Sequence, residues 1–139
     1  MQQTAILYPV FVQVALTVGL LIVLNRTRAT SMQAHGQKLS DADVRLGQNT
    51  WSPEAHKAGR SYANQFELPV LFYAVAAFAM ITNAVDNLMV LLAWVFAISR
   101  LLHATIHVGP NAIPARATAF IVGLAAVIAM WVKLALHIV

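Results

Sequence analysis

One long uncharged stretch near the start of the sequence most constrains what this chain can fold into. Residues 4–24 contain no Asp, Glu, Lys or Arg over 21 positions. At about 1.5 Å rise per residue, a helix of that length crosses the roughly 30 Å hydrocarbon layer of a bilayer. A cleaved signal peptide would have a basic leader and a shorter apolar core, so we expect a retained transmembrane helix here.

Three more apolar runs follow. Short segments of turn-forming residues separate the second run from the third and the third from the fourth. The predicted spans are residues 4–24, 60–83, 88–108 and 115–138, with short turns at 83–87 and 109–114. A composition of 60% hydrophobic and 10% charged residues lies outside the range of soluble proteins. The sequence therefore predicts a single domain over residues 1–139, an all-α integral membrane protein built as a four-transmembrane-helix bundle.

The second span shows where its helix begins. Ser52, Pro53 and Glu54 are typical of an N-cap, a first helical position and a first-turn acid, so the helix should start before the membrane. Pro69 lies inside the apolar run and is expected to be tolerated or to kink the helix.

The basic residues are unevenly distributed, and this predicts the topology. Six of the nine Lys and Arg residues lie between residues 25 and 67. Cytoplasmic loops of membrane proteins are enriched in such residues, so the polar loop 25–59 is expected inside and the N-terminus outside. Membrane topology explains the net charge of +4 better than nucleic-acid binding does. The absence of cysteine excludes disulfides, thiolate metal sites and a cysteine nucleophile, so any thiol chemistry must use a thiol from the substrate.

Polar side chains form two stripes within the apolar spans. Arg60, Asn64 and Glu67 are spaced four and three apart, which keeps them on one face of a helix. A second stripe, with the spacing three and four, consists of Arg100, His103 and His107. Because the two helices are antiparallel, both stripes should meet at the cytoplasmic membrane edge, where Arg116 opens the fourth span and Arg26 and Arg28 close the first.

Each polar group also has a plainer explanation. Arg26 and Arg28 are typical of interfacial anchors after a span, and Arg116 could mark an inside edge. Glu67 could form a structural ion pair with Arg60 or Arg100. A metal site from Glu67 and the two histidines is a further alternative, although nearby Arg residues make a cation costly there, so no metal is expected.

An Arg-rich pocket with one Glu and one Asn suits an anionic, zwitterionic small molecule. Guanidinium groups pair with carboxylates, and Glu67 could accept from an ammonium group and from an Arg. Glutathione has two carboxylates, one amine and a thiol. An Arg at a helix N-terminus, such as Arg116, is suited to holding a thiolate.

Two segments of the sequence resemble a known family. RSYANQFELPVLFY (residues 60–73) and RLLHATIHVGPNAIPAR (residues 100–116) resemble the membrane-associated proteins in eicosanoid and glutathione metabolism, the MAPEG family. This family includes microsomal glutathione transferase and prostaglandin E synthase, and the chain looks like a bacterial-type member. The resemblance covers all four spans.

The resemblance implies site residues, partners and an activity. Arg116 would be the catalytic Arg that stabilises the thiolate of glutathione, which serves as co-substrate. The glutathione-binding residues would be Arg60, Asn64, Glu67, Arg100, His103, His107 and, reaching a neighbouring subunit's site, Arg26 or Arg28.

The implied function is a membrane-bound glutathione-dependent transferase or peroxidase that acts on a lipophilic electrophile. The implied assembly is a homotrimer in the bilayer, and the expected location is the bacterial inner membrane. The alternative is a non-catalytic, lipid-binding scaffold of the same family.

Overall fold

The computed structural model describes residues 3–35 and 51–139, and these residues are almost entirely helical. The helices are α1 (Leu7–His35), α2 (Pro53–Ala63), α3 (Leu68–Ile81), α4 (Asn87–Val108) and α5 (Ile113–Ile138). A short 3₁₀ turn, Gln3–Ile6, precedes α1, and a second one, Asn64–Phe66, joins α2 to α3.

Within the described residues, four helical stretches are long and apolar enough to cross a membrane. They are Gln3–Ala34, Pro53–Ile81, Asn87–Val108 and Ile113–Ile138, so α2 and α3 together make one span. The predicted fold class, an all-α membrane protein with four spans, is confirmed.

Helix α1 is longer than the apolar run that predicts it. The helix continues to His35, and α2 begins at Pro53, so the expected loop 25–59 is helical at both ends. Residues 36–50 of that loop lie outside the described residues. The extension has a local reason, because residues 25–35 contain neither Gly nor Pro. Ser31 then accepts a hydrogen bond from the backbone N–H of Ser52 at 2.8 Å, which fastens the start of the second span to α1.

The second span begins where the sequence indicates, and of the two outcomes expected at Pro69 the structure has an interrupted helix. The Ser52 hydroxyl caps α2 by accepting from the N–H of Ala55 at 3.3 Å, and Pro53 occupies the first helical position. The helix is then interrupted at residues 64–67, which we call the helix break: a 3₁₀ turn followed by Glu67 with φ −101° and ψ −100°. Pro69 explains the position, because it has no N–H to continue the α-helical pattern and its ring crowds the carbonyl four residues earlier.

The turn between α3 and α4 is closed by local hydrogen bonds and one ion pair. Asn83 adopts the left-handed conformation (φ 57°), and the N–H of Ala84 reaches the carbonyl of Ala79 at 2.8 Å, which is a Schellman ending. Asp86 caps α4 through the N–H of Met89 and pairs with Lys133 of α5 at 2.7 Å. Lys133 thereby connects α5 to this turn.

The core lies between α3, α4 and α5. Phe72 stacks on Phe96 with ring centroids 4.4 Å apart, and Met89 and Met130 are fully buried beside them. Helices α4 and α5 approach closely at Gly123, where an added Cβ would lie 2.5 Å from the Ser99 hydroxyl oxygen. This close packing of small residues is typical of helix contacts in membranes, and it holds the middle of α4 against the middle of α5.

Candidate functional site

A cavity of about 540 Å³ opens at the end of the bundle where α2 meets the helix break, α4 ends and α5 begins. All three of these elements contribute polar residues to its lining, and the apolar residues come from α2 and α5. The lining residues are Arg60, Ala63, Asn64, Glu67, His103, His107, Ile113, Arg116, Ala117, Phe120 and Ile121.

The structure brings together most of the residues that the sequence singled out. Both polar stripes converge on this cavity, and the antiparallel arrangement of the second and third spans accounts for it. Six of the nine candidate residues line the cavity: Arg60, Asn64, Glu67, His103, His107 and Arg116. Arg100, Arg26 and Arg28 do not line it.

Arg100 lies directly behind the cavity wall. Its side chain is completely buried, and its guanidinium carbon is 5.6 Å from the centre of the ring of Phe120, which lines the cavity. None of its three guanidinium nitrogens has a hydrogen-bond partner among the described residues. The carboxylate of Glu67 attracts this guanidinium group from beyond salt-bridge distance. Arg100 is therefore a buried cation without a direct anionic partner among the described residues.

Glu67 is the acid of the cavity, and its carboxylate is not engaged in a salt bridge. Among the described residues the ion pair between Lys133 and Asp86 is the one within 4 Å, and it lies at the other end of the bundle. The structural pairing of Glu67 with Arg60 or Arg100 that the sequence allowed is therefore not formed. The side chain is exposed at the helix break and is available to a ligand.

Arg116 is held in the first turn of α5 by the loop that precedes it. Its Nη1 donates to the side-chain oxygen of Asn111 at 2.6 Å. Asn111 is itself fixed in the left-handed conformation (φ 53°), and its N–H bonds to the carbonyl of Ile106 at 2.7 Å. Pro114 sits in the same first turn of the helix. The guanidinium group thus has a defined position beside the free N–H groups of a helix start.

The two histidines are buried and pack edge to face, with ring centroids 5.8 Å apart. The Nδ1 of His103 lies 3.0 Å from the backbone oxygen of Arg116. A carbonyl oxygen can only accept, so Nδ1 carries the hydrogen and donates, which ties α4 to the start of α5. His103 Nε2 and His107 Nδ1 have no partner among the described residues and remain for a ligand or water.

Arg26 and Arg28 lie on α1, which contributes no residue to the cavity lining. The guanidinium carbon of Arg28 is 5.1 Å from the centre of the Trp51 ring, and Arg26 is exposed. Within one chain, neither reaches the site.

Sequence reasoning did not single out three contributors to this site. Asn111 fixes Arg116, Phe120 separates Arg100 from the cavity, and Gln65 lies buried within the helix break. A signal for Asn111 was present, because Asn after Gly-Pro is typical of a left-handed turn position. No sequence signal marks Phe120 among the other aromatic residues.

The cavity does not have the composition of a metal site. In the part of the chain that the structure describes, no three His, Asp or Glu side chains cluster closely enough to hold an ion. The guanidinium groups of Arg60 and Arg116 at the cavity wall favour an anion instead.

The family model of the MAPEG family matches residues 6–136. The chain belongs to the MAPEG family. This family contains glutathione transferases and peroxidases as well as non-catalytic members. No curated protein and no solved structure matches the chain.

Proposed function

We propose that this MAPEG protein is a glutathione-dependent transferase or peroxidase that acts on lipophilic electrophiles. The observation that carries the proposal is the charge balance of the site. The cavity and its wall contain three guanidinium groups, those of Arg60, Arg100 and Arg116, and one carboxylate, that of Glu67. The Arg100 guanidinium has no acceptor among the described residues. A buried, unpaired guanidinium is costly, and an anionic ligand would offset that cost.

The side chains match the functional groups of glutathione. Arg60 offers a guanidinium group in the cavity to a carboxylate, Arg100 adds a positive charge from behind the ring of Phe120, and the exposed carboxylate of Glu67 supplies an acceptor for the ammonium group. Asn64 offers an amide for the peptide groups, and the free ring nitrogens of the histidines offer further hydrogen bonds. Glutathione is thus the co-substrate, and the proposal needs no metal.

In this proposal, Arg116 is the catalytic residue. A free thiol with a pKa of about 8.5 is only a few per cent ionised at neutral pH. A fixed guanidinium and helix N–H groups near the sulfur would favour the thiolate by about 1.4 kcal/mol for each pKa unit. The thiolate attacks the electrophilic carbon, a C–S bond forms, and the leaving group departs with its electron pair.

The other wall of the cavity suits a lipophilic second substrate. Ile113, Ala117 and Ile121 line the cavity on α5, and both isoleucines are more than 60% exposed on the apolar surface. A compound dissolved in the bilayer can therefore meet the thiolate without crossing water.

The proposal includes a homotrimer with the site completed between subunits. Helix α1 brings Arg26 and Arg28 to the same membrane edge without filling the cavity of its own chain, so a neighbouring subunit can use them. Arg26 is the better choice, since Arg28 is stacked on Trp51. In the proposed bacterial inner membrane, the cavity would face the cytoplasm, where glutathione is found.

Adding glutathione to the purified protein tests the proposal. The wild type should show the ultraviolet absorbance of a thiolate and should conjugate chlorodinitrobenzene. Arg116→Ala should abolish both, while glutathione binding falls less because other groups hold the carboxylates and the amine. Arg116→Lys should recover part of the activity, since a point charge does not reproduce the guanidinium fork. Lys57→Ala removes a cation of α2 that does not line the cavity and should behave as wild type.

A lipid-binding scaffold is the second candidate, and one observation favours it. A groove of about 510 Å³ with almost entirely apolar walls runs between α4 and α5, from Val95 and Val122 to Ile106 and Ala115. It could hold an acyl chain without any contribution from the Arg residues. If the wild type forms no thiolate and turns over no electrophile, the scaffold function replaces the catalytic one.

A further inference from the structure

A hydrogen bond between two buried glutamines joins α1 to the back of the helix break. The Nε2 of Gln13 donates to the Oε1 of Gln65 at 2.7 Å, across 52 positions of sequence. Gln13 is 0% exposed and Gln65 is 2% exposed, so the bond is shielded from water and lipid. Polar side chains that bond across helices are one of the forces that associate transmembrane helices.

Gln65 lies at the centre of the segment that forms one wall of the site. It follows Asn64 directly and precedes Glu67 by two residues, and both neighbours line the cavity while Gln65 points into the bundle. Its Nε2 also donates to the backbone oxygen of Ser61 at 3.1 Å. The side chain of Gln65 therefore connects the last turn of α2, the helix break and α1.

Gln13 is costly as a purely structural residue. Its Oε1 is buried and has no partner among the described residues. An unsatisfied buried carbonyl destabilises the folded state, and a Leu or Met would fill the same space without that penalty. The contact that the amide does make is the one that reaches the helix break.

We propose that Gln13 is a positioning residue, which acts through Gln65 to fix the helix break and thereby the placement of Asn64 and Glu67. Helix α1 lines no part of the cavity in its own chain, yet this bond lets it control the wall from behind. The consequence for glutathione rests on the proposed function. The effect on the geometry of the break does not depend on it.

The geometry can be tested without any ligand because the chain contains no cysteine. Asn64→Cys places a reporter thiol at the half-buried first position of the break, and Ala117→Cys places a control thiol on the opposite wall. Adding Gln13→Met, which keeps the length but removes the donor, should speed maleimide labelling at position 64. We expect about a 3- to 20-fold change, the factor that a transmembrane side-chain hydrogen bond supplies, and little change at position 117.

A matched variant separates positioning from general loosening of α1. Thr17 lies one turn after Gln13 on α1 and donates to the Gln13 backbone oxygen at 3.0 Å. Thr17→Val preserves shape and should leave labelling at position 64 unchanged. The proposal would be overturned if the thiol at position 64 were labelled at the same rate with and without Gln13→Met. An equal increase in the labelling rate at positions 64 and 117 would also overturn it. Should Gln13→Met fail to fold, Gln65→Met breaks the same bond from the other side and is judged by the same criterion.

Glutathione binding, measured in variants that keep Asn64, then tests whether the geometry of the helix break affects ligand affinity. Gln13→Met should raise the dissociation constant for glutathione by a similar factor, and the Gln13→Met and Gln65→Met double variant should bind no more weakly than either single variant. Thr17→Val should bind as wild type. If labelling changes as expected but the wild type binds no glutathione, the positioning role stands and the proposed function falls. If glutathione binds and Gln13→Met leaves both labelling and affinity unchanged, the positioning role falls alone.

Discussion

Replacing the buried Arg100 by Met should make the protein more stable and its ligand binding weaker. Arg100 is fully buried, and its three guanidinium nitrogens have no acceptor among the described residues. Two attractions compensate in part, namely the charge of Glu67 at a distance and the ring of Phe120 at 5.6 Å. Met is a flexible apolar side chain of similar volume and needs no partner, so it should remove the cost and keep most of the packing.

The size of the effect follows from these contacts. Burying an unpaired ion costs several kcal/mol, and a desolvated cation–π contact returns about 2 kcal/mol. We therefore expect Arg100→Met to raise the free energy of unfolding by about 1 to 3 kcal/mol. For a chain of this size, that gain corresponds to a rise in the thermal midpoint of roughly 2 to 10 °C.

Ligand binding should change in the opposite direction. Arg100 acts on a bound anion through its charge, across Phe120, rather than by a hydrogen bond. At an effective dielectric constant of about 20, a charge about 10 Å away contributes roughly 1.7 kcal/mol, so the dissociation constant for glutathione should rise by roughly 10-fold. Thermal unfolding in mild detergent, with and without glutathione, measures both effects in one experiment. Lys57→Met removes an α2 cation that does not line the cavity and serves as the control. A lower midpoint without ligand, together with an unchanged stabilisation by glutathione, would refute the reasoning and make Arg100 a structural residue.

Two further predictions concern the scaffold that carries the site. Gly123→Ala places a Cβ 2.5 Å from the buried Ser99 hydroxyl oxygen, so thermal unfolding should show a loss of about 1 to 3 kcal/mol, whereas Gly19→Ala, with nothing within 4 Å, should be neutral or stabilising. Adding Ser99→Ala to Gly123→Ala should recover most of the loss, and no recovery would show that the contact is not the cause. The hydrogen bonds from Lys133 and from the Met89 N–H hold the pKa of Asp86 below its ordinary value of 3.8. The stability that this provides is present above that value and is lost as the pH falls through the lowered pKa, so the acid-induced drop in midpoint below about pH 4 should be smaller in Asp86→Asn than in wild type. Parallel curves would mean that the ion pair contributes nothing.

The fold could be predicted from the sequence because the bilayer restricts the choices. An uncharged run long enough to span the hydrocarbon layer has to be helical, since its backbone groups need partners within the segment. Pro69 left open whether the helix would continue or break, but the Ser52 cap was predictable, because it depends on residues within a few positions. The end of α1 was not, since the apolar run indicates the membrane boundary rather than the end of the helix, and α1 continues to His35.

The polar residues that line the cavity could be predicted, but the connections among them and the apolar lining could not. Residues three and four apart share a helix face, so both polar stripes were visible in the sequence. The unpaired state of Arg100, the support of Arg116 by Asn111 and the bond between Gln13 and Gln65 depend on how helices rotate against each other. A lone amide in an apolar run, such as Gln13, carries no sequence sign of a partner 52 positions away.

The geometry of the helix break accounts for its position within the candidate site. In a regular α-helix, at about 100° per residue, Asn64 and Glu67 would be offset by roughly 60° around the axis. In a 3₁₀ turn, residues i and i+3 eclipse each other, so the tightening of Asn64–Phe66 brings the amide and the carboxylate into line on the cavity side. The same tightening leaves Gln65 on the opposite side, where Gln13 holds it. Pro69 prevents the regular helix from re-forming, and the glutamine pair selects one geometry for the interruption. The conformation that interrupts the helical hydrogen bonds of the span thus places the carboxylate of Glu67 in the cavity that α4 and α5 also line.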